Sequence, residues 1–510
     1  GAHIAKTGSI TIHDSILASM PDSIKPVFYQ MTPERIPYYY GLQFRGFGLC
    51  IINLDKGTIV PQYLQLFPMW TAIFYSIFGL KGFLYVNPLF GVLSILGIYF
   101  IGKNLFDRKT GAICAALLSI NFIQIWFSRY PGAEMLFQLL FFSGIVALIL
   151  FEKSSHRFFG LLSGVCFGLL FFTRIDSLLL LLPVSAYFVY LTLSGRFKRN
   201  YLYVFIPFVV LFAHSIVYYL FTAFPYVHGQ FIGLISAMFL TFPQFFERLF
   251  IIIPTLLAIL GVTILYLCRG SSKVKRYIKH GIVFFSIAAL VMAYLTYPLM
   301  PPGIGGSNLI MLGWYLTDFG VVLGVLGLIF MVYEKSPSRI LFLLFISIFV
   351  LLYLIHIQNQ VIQPWCMRRY IDVVIPALFI GIGYIIFMVR NKISPRVIYV
   401  AVVLLCVISI GISGLVIGHV ENKGMVGQIS NIADHFDDDS IIIFSQPVLR
   451  GVSFPLKYIY DRNAILLPTE PKAIDDVNKF VDMCTIWFLS LIHISEPTRP
   501  LYISYAVFCL

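Results

Sequence analysis

From residue 84 onward the chain alternates between long apolar runs and short polar gaps. The runs lie at 84–102, 112–127, 135–151, 158–173, 178–193, 201–221, 249–267, 281–296, 316–333, 340–356, 371–389 and 397–417. They approach or reach the roughly 17–25 residues that carry a helix across a hydrocarbon core about 30 Å thick. Backbone groups in lipid must be bonded within the segment, so each run predicts a helix. An all-α polytopic membrane protein with about twelve spans is expected. A further stretch, 63–78, "YLQLFPMWTAIFYSIF", is also apolar but holds Pro68 and a set of aromatic residues suited to the headgroup level. It is read as an interfacial helix lying on the outer surface.

Basic residues fix the direction. One set of alternate gaps carries eighteen Lys and Arg, including Lys103, Arg108 and Lys109, the cluster from Arg269 to Lys279, and Arg390, Lys392 and Arg396. The other set carries six: Lys81, Arg129, Arg174, Arg248, Arg368 and Arg369. The richer set is the cytoplasmic one. Residues 1–83 then form an extracytoplasmic first loop bearing the interfacial helix, and 84–417 the transmembrane domain. The Pro- and Tyr-rich segment 1–61 reads as irregular folded loop. Beyond the last span, "GQISNIADHF" has the period of an amphipathic helix, while "DDDSIIIFS" and "NAILLP" read as strands. Residues 418–488 are therefore expected to start a small α/β domain outside the membrane, cut short at its end. The final stretch, 489–510, "LSLIHISEPTRPLYISYAVFCL", resembles the translation of a sequencing adapter and is set aside as non-native.

Composition agrees with this picture. Of 510 residues, 59% are hydrophobic and 12% charged. The formal net charge of +13 needs no anionic partner, because basic residues are retained on the cytoplasmic side. Nucleic-acid binding is not expected, since no basic stretch is interleaved with stacking aromatics. The eight cysteines include no CxxC pair, and Cys114, Cys166 and Cys406 fall inside apolar runs. There is no Gly-rich phosphate loop, zinc spacing or Ser-His-Asp set.

Chemistry is then sought among polar residues on the side poor in Lys and Arg. "SRYPGAE" places Arg129 and Glu134 five residues apart at a span boundary, either pairing with each other or presenting Glu134 to a cavity. "FFTRIDS" holds Arg174 and Asp176, either a local ion pair or part of a site. "HIQNQVIQPWCMRRY" brings His356, Arg368, Arg369 and Tyr370, whose guanidiniums suit either lipid headgroups or a substrate phosphate. "YPLMPPGIGGSNLIMLGWY", 297–315, is uncharged and reads as a lid or a linker. Together these suit a substrate with a lipid tail, a phosphate and a polar head.

The order "PQYLQLFPMWTAIFYSIFG", "GKNLFDRKTGAICAALLSINFIQIWFSRYPGAEML" and "FGLLFFTRIDSLLLLLP" resembles the GT-C membrane glycosyltransferases, in particular the protein O-mannosyltransferase and lipid A aminoarabinose transferase group. The resemblance implies about thirteen spans, of which one precedes Gly1. It implies an inner or cytoplasmic cell membrane with the active site on the extracytoplasmic side. It implies transfer of a sugar, with inversion, from a polyprenyl-phosphate donor to an extracytoplasmic glycan, lipid or protein. A first-loop acid takes the acceptor proton; "AKTGSI" corresponds to the segment after that acid, which places the base upstream of Gly1. Neither Asp14 nor Asp55 has its context. Glu134 corresponds to the second acid. Arg129, Arg174, Asp176, His356, Arg368, Arg369 and Tyr370 are the candidate substrate-binding residues, and a divalent metal at Glu134 is the candidate cofactor. A lipid-linked-glycan transporter or flippase, and a polysaccharide polymerase or ligase, are the competing readings. A transporter would want internal repeats and polar residues near the midplane, and neither is seen.

Overall fold

The computed structural model describes residues 1–19, 49–53, 55–61, 63–224, 226–228, 308–333, 336–356, 364–420, 422–437, 441–444, 450–466 and 491–494, with scattered positions from 276 to 291. The chain forms two compact units. One comprises Gly1–Phe83, Val217–Gly233 and His419–Leu510; the other comprises Leu84–Ile216 and Leu234–Gly418.

The first unit opens with α1 (Ala2–Thr7), β1 (Ile12–His13), α2 (Ser15–Ser19), β2 (Leu49–Asn53), β3 (Thr58–Pro61) and α3 (Leu66–Phe78). The strands make an antiparallel sheet in the order β1–β3–β2, with Cys50 opposite Val60 and Ile51 opposite Ile59. The β2–β3 turn closes through the Asn53 side chain, which accepts from Lys56 N at 2.9 Å, and through Gly57 at φ 58°. A positive φ costs glycine least, which is why the turn falls there. The segment expected to be irregular loop thus holds a sheet. Its strands are only two to five residues long, too short to show a period. Asp14 caps α2 by accepting from Ile16 N and Leu17 N, and Asp55 lies in the β2–β3 turn. The helix expected at 63–78 is α3, ended by Gly79 at φ 65°.

The second unit is helical. Its elements are α4 (Gly82–Leu105), α5 (Arg108–Ser119), α6 (Phe122–Phe127), α7 (Glu134–Ser154), α8 (Arg157–Leu169), α9 (Leu181–Leu193), α10 (Leu202–Phe221), α11 (Asn308–Leu316), α12 (Asp318–Met331), α13 (Pro337–Leu351), α14 (Arg368–Ile371), α15 (Val374–Val389) and α16 (Pro395–Ile417). Among the described residues six helical stretches are long and apolar enough to cross a membrane, or up to eight if each of two bent pairs is one span. The chain is a multi-pass membrane protein. The run at 112–127 is divided between α5 and α6, because the Asn121 side chain accepts from Ile123 N (3.1 Å) and Gln124 N (3.4 Å) and starts a new helix. The run at 316–333 is α12, preceded by α11 at a 111° bend, and a 54° bend separates Trp365–Ile371 from α15. The run at 249–267 lies outside the described residues, as does most of 281–296.

Aromatic packing joins α7, α8 and α13: Phe167 stacks on Phe345 at 4.9 Å, and Phe141 meets Phe349 edge-on at 5.2 Å. At the opposite end of these helices from Glu134, Arg339 donates to Leu105 O at 2.9 Å and lies over Phe106, Tyr384 and Phe387. Arg390 covers Phe387 and pairs with Asp107. Helix α16 exposes Val397, Val400, Val403, Leu404, Val407 and Ile410, as a lipid-facing helix would.

Helices α12 and α15 pack backbone to backbone. A Cβ on Gly327 would fall on the Gly381 carbonyl, and one on Gly381 would fall on the Gly324 carbonyl. Small residues permit this approach in lipid. Gly381→Leu should therefore separate the pair at a cost of at least about 1–3 kcal/mol. Thermal unfolding in detergent checks this, and an unchanged melting midpoint would contradict the close approach.

The rest of the first unit is an α/β layer of α17 (Met425–Asp434), β4 (Ile441–Phe444), α18 (Arg450–Tyr458), β5 (Asn463–Leu466) and β6 (Leu491–Ile494). Its sheet is parallel, in the order β5–β4–β6. Ile429, Ala433, Ile442, Val452, Leu456 and Ala464 form its core. β6 comes from the stretch set aside as adapter-derived; Leu-Ile-His-Ile satisfies an open strand edge whatever its origin. Lys6 Nζ donates to Asp461 Oδ2 (2.6 Å) and Ile459 O (2.9 Å), tying α1 to this layer.

Candidate functional site

Five ionisable residues from three separate parts of the second unit meet around one guanidinium. Glu134 is the first residue of α7, where the helix dipole favours its negative charge. The turn before it is held by Asn87 of α4, which donates to the carbonyls of Tyr130 and Gly132. Arg174 follows Thr173, whose hydroxyl donates to Leu170 O at 2.6 Å to close the preceding turn. Arg174 has extended backbone, and a 3-10 turn begins at Ile175. That change of direction folds the guanidinium back on Asp176, with Nε donating at 3.0 and 3.2 Å and Nη2 at 2.8 Å. Its Nη1 donates to Glu134 Oε1 at 3.0 Å, and its Nε lies 3.2 Å from Asp372 Oδ2. Burial works against the Arg174 charge, but Asp176, Asp372 and Glu134 outweigh it and hold its pKa well above the ordinary arginine value.

Arg368, at the start of α14, donates through Nε to the same Glu134 Oε1 at 2.9 Å and lies over the Trp365 ring at 5.0 Å. Side-chain exposure separates the members. Glu134 and Asp372 are each 2% exposed, Arg174 is 11% and Arg368 is 37%. Tyr353 donates its hydroxyl to Asp176 at 2.5 Å. Three carboxylates thus face two guanidiniums, and among the described residues Glu134 Oε2 and both Asp372 oxygens are buried without a hydrogen bond, Asp372 Oδ2 keeping its ion pair with Arg174. Buried polar atoms are normally paired, so these mark a place where a donor-bearing group fits.

The residues singled out in the sequence divide accordingly. Glu134, Arg174, Asp176 and Arg368 converge. Arg369 is exposed and close enough to act electrostatically on Asp176. Tyr370 is fully buried, with its ring 6.4 Å from Tyr353. Arg129 donates to the carbonyls of Val416 (2.8 Å) and Ile417 (3.3 Å) at the end of α16. His356 ends a π-helical turn, and its side chain lies outside the described residues, as does most of 297–315. Asp372 and Tyr353 went unseen because each lies inside an apolar run. The usable signal was an ionisable residue at membrane depth.

Among the described residues no group of three or more His, Cys, Asp or Glu is arranged to hold a divalent ion, and Glu134 Oε1 already faces two guanidiniums.

Residues 65–220 match the family described as dolichyl-phosphate-mannose-protein mannosyltransferase. The chain resembles the GT-C membrane glycosyltransferases, and the match covers the segment carrying Glu134, Arg174 and Asp176. It is similar to dolichyl-phosphooligosaccharide-protein glycotransferase 1 of Pyrococcus furiosus, at 29% identity over 155 residues, 27% of this chain and 15% of the relative. Two solved structures are similar. The Archaeoglobus fulgidus oligosaccharyltransferase in complex with Zn and sulfate has TM-score 0.43 and 13% identity, covering 81% of this chain and 55% of that one. ArnT from Cupriavidus metallidurans in the apo state has TM-score 0.32 and 12% identity, covering 87% and 84%. The chain thus spans under a sixth of the curated relative and about half of the oligosaccharyltransferase.

Proposed function

We propose that this protein transfers a sugar from a polyprenyl-phosphate-linked donor to an extracytoplasmic acceptor, with inversion at the anomeric carbon. The observation that supports this most is the state of Arg368. Its Nε is pinned by Glu134 and its face rests on Trp365, while its remaining amino groups have no hydrogen bond among the described residues. An oriented guanidinium with its fork open suits a phosphate, which takes paired hydrogen bonds. As the glycosidic bond breaks, charge grows on the departing phosphate, and Arg368 with exposed Arg369 stabilises it there. Glu134 does two things: it fixes Arg368 through Oε1 and offers Oε2 to orient an acceptor hydroxyl. The sugar passes to that oxygen as its proton leaves to a base; none of the residues described here is assigned as that base.

The eighteen-to-six bias of Lys and Arg supports an extracytoplasmic site in a cytoplasmic membrane, since Arg174, Arg368 and Arg369 belong to the poorer set. The acceptor, whether glycan, lipid or protein, meets the donor at that boundary. Arg368→Ala with Arg369→Ala, in the full-length protein in liposomes, should raise KM for a polyprenyl-phosphate sugar about 10- to 100-fold, as expected for losing hydrogen bonds to a charged group. A KM equal to the parent's would return both arginines to lipid headgroups.

A further inference from the structure

The cluster is braced by a buried pair of amides that the proposed chemistry does not use. Gln124 of α6 and Gln138 of α7 exchange reciprocal hydrogen bonds at 3.0 Å, and the second Nε2 proton of Gln138 goes to Ile371 O at 2.7 Å. Both side chains are fully buried. Gln138 lies one helical turn beyond Glu134, so the two share a face of α7. That face grips one short segment twice: Glu134 holds Arg368, and Gln138 holds the carbonyl three residues later.

The second grip falls where the chain needs it. Helix α14 ends at Ile371, and the next helix starts at Val374 after a 54° bend. A carbonyl at a helix end lacks an intrahelical donor, and Gln138 supplies one. Ile371 is bonded directly to Asp372, whose carboxylate reaches Arg174. An amide pair in an apolar core costs desolvation that leucine or methionine would avoid. What it adds is direction: two hydrogen bonds of fixed length set where the 368–372 turn sits against α7.

We infer that Gln138, supported by Gln124, is a positioning residue that sets Arg368 and Asp372 at their working distance from Glu134. The inference rests on the transferase reading above. Reacting groups displaced by about 1 Å lose about a hundredfold in rate. Gln138→Met alone strips the Gln124 amide of the donor to its oxygen and of its main acceptor, which confounds folding with positioning; the double variant Gln124→Leu/Gln138→Met removes that amide and leaves Ile371 O ungripped. In the full-length protein the double variant should insert and fold, its melting midpoint lowered only by the one carbonyl left without a donor, while kcat per folded protein falls about 10- to 100-fold with acceptor KM changed little. Gln138→Glu, which cannot donate to Ile371 O as an anion, should fall similarly. A double variant with parental kcat overturns the inference, as does one whose loss of activity only tracks a loss of folded protein. Parent and Glu134→Gln run alongside separate the two layers: a parent that moves no sugar from a polyprenyl-phosphate donor overturns the transferase reading itself, whereas a Glu134→Gln variant that retains transfer removes this cluster, and with it the positioning role, from the chemistry.

Discussion

Glu134→Gln in the full-length protein should lower transfer about a hundredfold while the protein still inserts and folds. Glutamine keeps the shape and leaves a neutral acceptor for Arg174 and Arg368, so the packing at the start of α7 survives. It loses the charge that holds two guanidiniums at one oxygen, Oε1, and it changes Oε2, which has no partner of its own. The rate should fall more than donor binding, because the variant leaves in place Arg368 and Arg369, to which the phosphate contacts are proposed. Initial rates with a polyprenyl-phosphate sugar, at saturating acceptor, measure this directly. Near-parental rates would remove Glu134 from the chemistry and reduce the cluster to a structural ion network.

Arg174→Met should act on the fold instead. Its guanidinium is the common partner of Glu134, Asp176 and Asp372, at 3.0, 2.8 and 3.2 Å. Removing one partner of a buried ion pair costs about 3–5 kcal/mol, because the charges left behind are uncompensated. Membrane yield and detergent melting should therefore drop before any kinetic question can be asked. Arg174→Lys should recover only part of the loss, since a single ammonium cannot reproduce a fork that meets three carboxylates. Parental stability in Arg174→Met would mean that the carboxylates are compensated from elsewhere.

Most of the architecture was readable from hydropathy and charge. Helices α4, α7, α10, α13 and α16 lie where the apolar runs place them, because lipid leaves an apolar run no other structure. What hydropathy does not carry is interruption. The Asn121 cap and the bends at α11–α12 and α14–α15 depend on single side chains and tertiary contacts, which a window average smooths away. The same limit applies at the site. Glu134, Arg174, Asp176 and Arg368 were legible as ionisable residues in gaps poor in Lys and Arg. Asp372, Tyr353, Gln124 and Gln138 were hidden because their neighbours are apolar. Arg129 shows the converse: it is near Glu134 in sequence, yet it donates to carbonyls nearly three hundred residues away, at Val416 and Ile417.

The charge network also constrains how the protein is made. Glu134, Arg174 and Asp176 emerge from the ribosome long before Arg368 and Asp372, yet Glu134 shares one oxygen between an early arginine and a late one. Until the later segment arrives, the early helices hold two acids and one base with nothing to complete them. Assembly in the bilayer therefore cannot finish helix by helix as synthesis proceeds. The early spans have to stay loosely associated, or sheltered by the insertion machinery, until the 365–372 turn docks and closes the cluster.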